Sequence, residues 1–451
     1  MAFGGAGDAV SAFKSVILQQ QFRNLGACTF SEVGDPLPMN MCGLWGMLVP
    51  ITLKRSGVAA CFAAALTFFG GALPASAQSF FTTLIADPVV GADRGSASLI
   101  RKLDEPTQFL TFSNTGSDVS GQYVLGYGLA RPDLMQEGDQ LDVTAVWAGP
   151  SKDGWRELLA GGIGYRFPVG LEGTTAFLTV DYGDLIFGTT ETLFLEAKAD
   201  RRQIALGLVR ERSLANDAKV RLSGELISRS VNAEVLGFPS LEEELTSLRL
   251  SAQYSRGVPL LFQQRLAVSL SKGFDSFGAS ESGNLLGSNP GAASDYLRVS
   301  FAAEASVPLS KEWVINAGLI GQWTDDSLPV SQRCGFETNA YARAFDYAVV
   351  VGDRCLGSRV EVAYNIALPD PTADKILFTQ GFVGIDKGRI DNVANIASPG
   401  GGDSWSSLSA GIRTLSGNFL GEVAVTRILD RPDVAADQDR DRLWFRTAIQ
   451  F

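Results

Sequence analysis

Histidine is absent from all 451 residues of the chain. Imidazole is the side chain that titrates near neutral pH and the commonest metal ligand. Its absence excludes Ser-His-Asp and Cys-His catalysis and histidine-ligated metal centres. Only carboxylate, lysine or tyrosine chemistry is left to an enzyme. Asp353 and Glu361 are the nearby carboxylates worth considering, and no nucleophile accompanies them, so the chain reads as a non-enzyme without cofactor or metal. An excess of cations is missing too: the net charge is -11, which argues against a nucleic-acid partner, because phosphate binding needs clustered Lys and Arg. Charged residues make up only 19%, yet outside the N-terminal region no apolar run reaches the ~20 residues of a spanning helix. That argues against a helical membrane protein.

What is present begins with an export signature. From Met47, the cations Lys54 and Arg55 precede an apolar core that ends at Ala75-Ser76-Ala77. This is the order of a signal peptide, so residues 47–77 are expected to be removed and the mature chain to start at Gln78. Residues 1–46 lie upstream of that signal, without apolar periodicity, and read as an extension from a start codon placed too early. Of the five cysteines, Cys28, Cys42 and Cys61 fall before Gln78. Cys334 and Cys355 remain, and an even pair in an exported chain invites a disulfide.

From about Gln108 to the end, segments of about ten residues alternate in polarity with period two, separated by Gly, Asp, Asn, Ser and Pro clusters. In Leu297–Val307 the odd positions are apolar (Leu297, Val299, Phe301, Ala303, Ala305, Val307), while the even ones include Arg298, Ser300, Glu304 and Ser306. About seventeen such segments occur; a single-chain outer-membrane barrel needs an even number, so about sixteen strands are expected. Tyr165, Phe167, Trp313, Trp323 and Trp444 suit its interfacial aromatic girdles. In the last segment Leu443, Phe445, Thr447, Ile449 and Phe451 share a face, a pattern similar to the signal read by the outer-membrane barrel-assembly machinery. The expected organisation is a short linker or plug over 78–107 and an all-β transmembrane antiparallel barrel over 108–451, surrounded by outer-membrane lipids of a Gram-negative bacterium.

Two regions carry a family resemblance. Ser113-Asn114-Thr115-Gly116-Ser117, Gly121, Gly138-Asp139-Gln140-Leu141 and Tyr165-Arg166-Phe167-Pro168-Val169-Gly170 follow one another as in the two-partner-secretion transporters, the haemolysin secretion/activation proteins. Further on, Arg343 and Phe345 match that family's Arg-Gly-aromatic motif, with Ala344 in place of its Gly. Gly352-Asp353-Arg354 with Arg359 and Glu361, and then Gly381-Phe382 to Asp386-Lys387-Gly388, resemble its next two motifs. The resemblance implies that the loop bearing Arg343 folds into the barrel lumen, that Arg343 pairs with Asp386 on the wall, and that Gly388, on the same face, leaves room for the loop. It also implies a translocation pore that exports, and possibly activates, a partner exoprotein. The family's periplasmic POTRA domains find no room in the roughly thirty residues after Gln78. That shortfall keeps two alternatives open: a passive channel or porin, and a surface adhesin whose loop projects outward.

Overall fold

The computed structural model describes residues 106–451, apart from 117–120, 151–155, 171, 187–197, 216–217, 259–261, 283–286, 290, 337–340, 347–350, 368–376, 396–399, 417, 433–434 and 437. The chain divides into two units, Met1–Arg55 and Ser56–Phe451, and every described residue belongs to the second. The expected upstream extension, signal peptide and most of the linker lie outside the described residues.

The strands are β1 (Thr107–Ser113), β2 (Tyr123–Pro132), β3 (Gln140–Gly149), β4 (Leu158–Pro168), β5 (Thr174–Ile186), β6 (Lys198–Ser213), β7 (Lys219–Val235), β8 (Phe238–Val258) and β9 (Phe262–Phe274), followed by β10 (Leu297–Pro308) and β11 (Trp313–Thr324). Two short strands, β12 (Cys334–Gly335) and β13 (Val351–Gly352), precede β14 (Arg354–Ala367), β15 (Leu377–Asn392), β16 (Gly401–Ser416), β17 (Phe419–Asp430) and β18 (Asp441–Gln450). All but β12 and β13 join their sequence neighbours into a closed antiparallel barrel of 16 strands, sealed where β1 pairs with β18. β12 and β13 form a separate ribbon inside the connection between β11 and β14.

Closure follows from the alternation. Along β17, Leu420, Glu422, Ala424, Thr426 and Ile428 are buried and point inward, whereas Val423, Val425 and Leu429 are exposed. Leucine, valine and isoleucine thus face out on strand after strand, and the buried polar groups line the inside. A soluble sandwich would place them the other way round. The connections differ between the two rims. Those after even-numbered strands up to β10, and after β14 and β16, are short, such as 259–261, 309–312 and 417–418. The opposite rim carries 275–296 and 325–353.

Two expectations need correction. Trp444 is not a girdle residue: it is fully buried on the inward face of β18, because period two places it with Arg446 and Ala448. Trp313 and Trp323 do face outward and are about half exposed. The strands also do not all have about ten residues. β7 has 17 and β8 has 21, and above Leu226 and Leu248 their outward positions turn polar at Ser228, Ser230, Asn232, Glu242 and Glu244.

Candidate functional site in the lumen

The long connection 325–353 turns into the barrel. Its root is held by Asp353, whose buried carboxylate accepts the Leu328 N–H (3.0 Å), Arg333 Nε (3.0 Å) and the Val393 N–H (2.8 Å), tying this connection to the one after β15. The 3-10 turn Val330–Gln332 ends with carbonyls that its own geometry leaves without intrahelical donors. Wall side chains supply them: Arg229 of β7 donates to Ser331 O (3.0 Å), and Arg298 of β10 and Gln322 of β11 donate to Gln332 O (2.7 and 2.9 Å). Cys334 and Cys355 are joined by a disulfide, so the ribbon is bonded to the first turn of β14. Arg354 lies 4.2 Å from the Trp323 ring and pairs with Asp325 at 2.7 Å.

Beyond the ribbon, the tip 341–345 is buried. Arg343 is 2% exposed and Phe345 1%. A tight turn, with the Phe345 N–H donating to Ala342 O (2.9 Å), presents the arginine to the wall. Positive φ falls on Ala342 (56°), not on Ala344. The position where the family motif has glycine therefore needs no left-handed backbone here, and the strain sits two residues earlier.

Arg343 does not pair with Asp386. Its Nη2 lies 2.7 Å from Glu422 Oε1 on β17 and its Nη1 3.4 Å from Glu361 Oε2 on β14. Register gives the reason. Asp386 stands directly opposite Arg359, which engages it at 3.5 Å, and Ser407, opposite on the other side, donates to it at 3.5 Å. Glu361 also accepts Asn316 Nδ2 (3.0 Å), Arg359 (3.5 Å) and Arg413. Glu422 accepts Nε and Nη2 of Arg446 (3.0 and 2.7 Å). Arg413 reaches Glu361 across β15 at Gly384, the register partner of Glu361, which offers no side chain to block the path. The rings of Phe382 and Trp444 each lie 5.0 Å from the Arg343 guanidinium, and Phe382 also lies 4.4 Å from that of Arg413. Such a guanidinium, removed from water, is held by opposite charge, planar hydrogen bonding and ring faces together.

Gly388 does share the inward face with Asp386, but the room it leaves is taken by Trp405 of β16. A Cβ at Gly388 would lie 2.6 Å from that indole. Trp405 in turn packs edge-on against Phe336 and Phe345 of the loop, with centroids 4.6 and 5.7 Å apart. The sequence reading missed Glu422, Arg413, Arg446 and Trp405, and gave Phe382 only as part of a motif, with no role. Parity was their only signal, since each falls on the polar or buried face of its strand. Leu443, Phe445 and Ile449 point outward, and Phe451 exchanges backbone hydrogen bonds with Gln108 (2.9 and 3.5 Å) at the seam.

The arrangement defines an outer-membrane-type barrel with a loop clasped in its lumen by a network of four guanidiniums and three carboxylates. The model of the haemolysin secretion/activation protein family ShlB/FhaC/HecB matches residues 101–414, and the chain belongs to that family. Among solved structures, CdiB from Escherichia coli is similar over 77% of this chain and 63% of its own, with 18% identity and a TM-score of 0.63. CdiB from Acinetobacter baumannii is similar over 77% and 60%, with 16% identity and a TM-score of 0.59. BamA from Haemophilus ducreyi lacking POTRA domains 1-3 shares the fold at 11% identity over 77% and 70%, with a TM-score of 0.52. The chain thus spans under two thirds of either CdiB. No curated protein matches it.

Proposed function

We propose that this chain is the pore of a two-partner-secretion system in the outer membrane of a Gram-negative bacterium, passing a partner exoprotein outward through its lumen. It does so without catalysis, with the connection 325–353 as the moving element. The observation that carries this reading is the clasp of Arg343 between Glu361 and Glu422 inside the barrel. A loop bound to the wall by ion pairs and aromatic packing blocks part of the lumen at rest, and charge pairs can exchange partners when a polypeptide enters. Burial of the tip works against an adhesin, which needs its loop outside.

The test is co-expression with a repeat-rich exoprotein chosen from the genes neighbouring its own, followed by immunoblotting of the medium and of the periplasm. Secretion should require this chain and should fall in the Arg343→Ala and Glu422→Gln variants, with exoprotein accumulating in the periplasm. Unchanged export without the chain would overturn the proposal. Passage of small solutes without any exoprotein in the medium would favour the passive channel.

A further inference from the structure

The motif around Asp386 accounts for the inward side of β15 and leaves its outward side unexplained. There, Val360 of β14, Ile385 of β15 and Leu408 of β16 are register partners and form an exposed apolar row. Two residues toward the rim that carries 275–296 and 325–353, the next row is Ser358, Lys387 and Ser406, again in register across the same three strands. The following row adds Leu356, Arg389 and Ser404. Apolar surface therefore gives way to a hydroxyl, an ammonium and a hydroxyl within one step of the pleat.

Several outward cations near this rim are already engaged. Arg354 faces Asp325, Arg389 faces Asp391, Arg427 faces Asp441, Arg202 faces Asp200, and Lys272 donates to Asp295 O. Lys387 has no carboxylate or carbonyl for its Nζ among the described residues. Its backbone carbonyl accepts the Ser358 hydroxyl at 3.3 Å, which holds that side chain beside it. An ammonium immediately above an apolar belt extends its charge toward the headgroup level, and phosphate is the anion found there.

We infer that Ser358, Lys387 and Ser406 form a lipid-facing site for the phosphate of a phosphorylated glycolipid of the outer leaflet. The inference rests on the proposed outer-membrane location only for the leaflet involved. The ammonium supplies the charge, the Ser406 hydroxyl donates to a phosphate oxygen, the Ser358 hydroxyl stays on the Lys387 carbonyl and keeps the row in place, and Val360, Ile385 and Leu408 receive the upper part of the acyl chains. Asp391, next along the strand, faces Arg389 and so does not oppose the anion directly.

The test uses the full chain in nanodiscs containing a bisphosphorylated glycolipid of the outer leaflet, the same glycolipid with its phosphates removed, or phosphatidylglycerol. Retained lipid is counted by native mass spectrometry. The chain should retain the phosphorylated glycolipid several-fold over the dephosphorylated one. Lys387→Gln should abolish that preference, and Ser358→Ala with Ser406→Ala should reduce it. Arg427→Gln, whose cation is already paired elsewhere on the rim, should leave it intact. Equal retention of both glycolipids, a preference that survives Lys387→Gln, or stronger retention of phosphatidylglycerol would overturn the proposal. Heat-modifiable migration of each variant shows that the barrel is folded, since Lys387 lies outside the lumen network. Failure of the location reading is seen separately, as absence of surface labelling of Phe238→Cys in intact cells.

Discussion

At the scale of single residues, the clasp on Arg343 is a shared contact, and its energetics differ from those of an isolated ion pair. Removing one partner of a buried pair typically costs about 3–5 kcal/mol, because the other charge is left without compensation. Here Glu361 keeps Asn316, Arg359 and Arg413, and Glu422 keeps Arg446. Arg343→Ala should therefore cost less than that range. The pairing can be read from double-mutant cycles on stability in detergent. Arg343→Ala with Glu422→Gln should show a coupling of about 1–3 kcal/mol, whereas Arg343→Ala with Asp386→Asn should be close to additive. Coupling to Asp386 as large as that to Glu422 would restore the pairing that the family resemblance implies and contradict the geometry.

At the scale of elements, the turns were legible as turns and their chemistry was not. Gly138-Asp139 reads in sequence as a connection between strands. In the structure the Asp139 carboxylate accepts the N–H groups of Leu134, Met135 and Gln136 at 2.7 to 3.0 Å and the hydroxyl of Tyr165 on the next hairpin. Burial alone would push its pKa up, but these four donors outweigh that and hold it below the ordinary carboxylate value. A depressed pKa in the folded chain means stability that is present above the unfolded value, near 4, and is lost as pH falls through the folded one. Amide exchange at 134–136 should therefore quicken below about pH 4, and Asp139→Asn should remove that pH dependence. The loop root is similar. Period-two alternation located β11 and β14, but no local signal announces that Asp353 binds three donors from two connections. With a sequence separation of 21 between Cys334 and Cys355, the disulfide stabilises by about 3 kcal/mol in the chain-entropy model. The root is held by Asp353, Arg229 and Arg298 as well. Reduction alone should leave single-channel conductance unchanged, and reduction of the Asp353→Asn variant should raise it. A rise on reduction of the unsubstituted chain would mean that the disulfide alone seats the loop.

At the scale of the whole molecule, the barrel was legible because one rule, apolar out and polar in, recurs from strand to strand, while contacts between distant strands depend on a register that no single strand specifies. The seam illustrates this. β1 pairs with β18 over Phe109–Ser113, five positions, whereas β15 and β16 pair over sixteen. In a membrane an unpaired backbone group costs several kcal/mol, so a short seam needs extension. Asn114 provides it above β1. Its Nδ2 donates to Leu443 O (2.5 Å), its Oδ1 accepts the Phe445 N–H (2.8 Å), and its own N–H donates to Phe445 O (3.2 Å). Below Phe109 the extension is the Gln108–Phe451 backbone pair, and Phe112, Tyr123 and Phe445 cover the outside with centroids 5.5 to 6.4 Å apart. Asn114→Ala removes two side-chain bonds at about 0.5–1.5 kcal/mol each, so it should lower the unfolding midpoint without changing the fold. Deletion of Phe451 removes a backbone pair as well as a side chain, while Phe451→Ala removes only the side chain. The amount of heat-modifiable barrel in outer membranes should fall further for the deletion than for the substitution. Equal losses would place the whole effect in recognition of the aromatic side chain and none in closure of the seam.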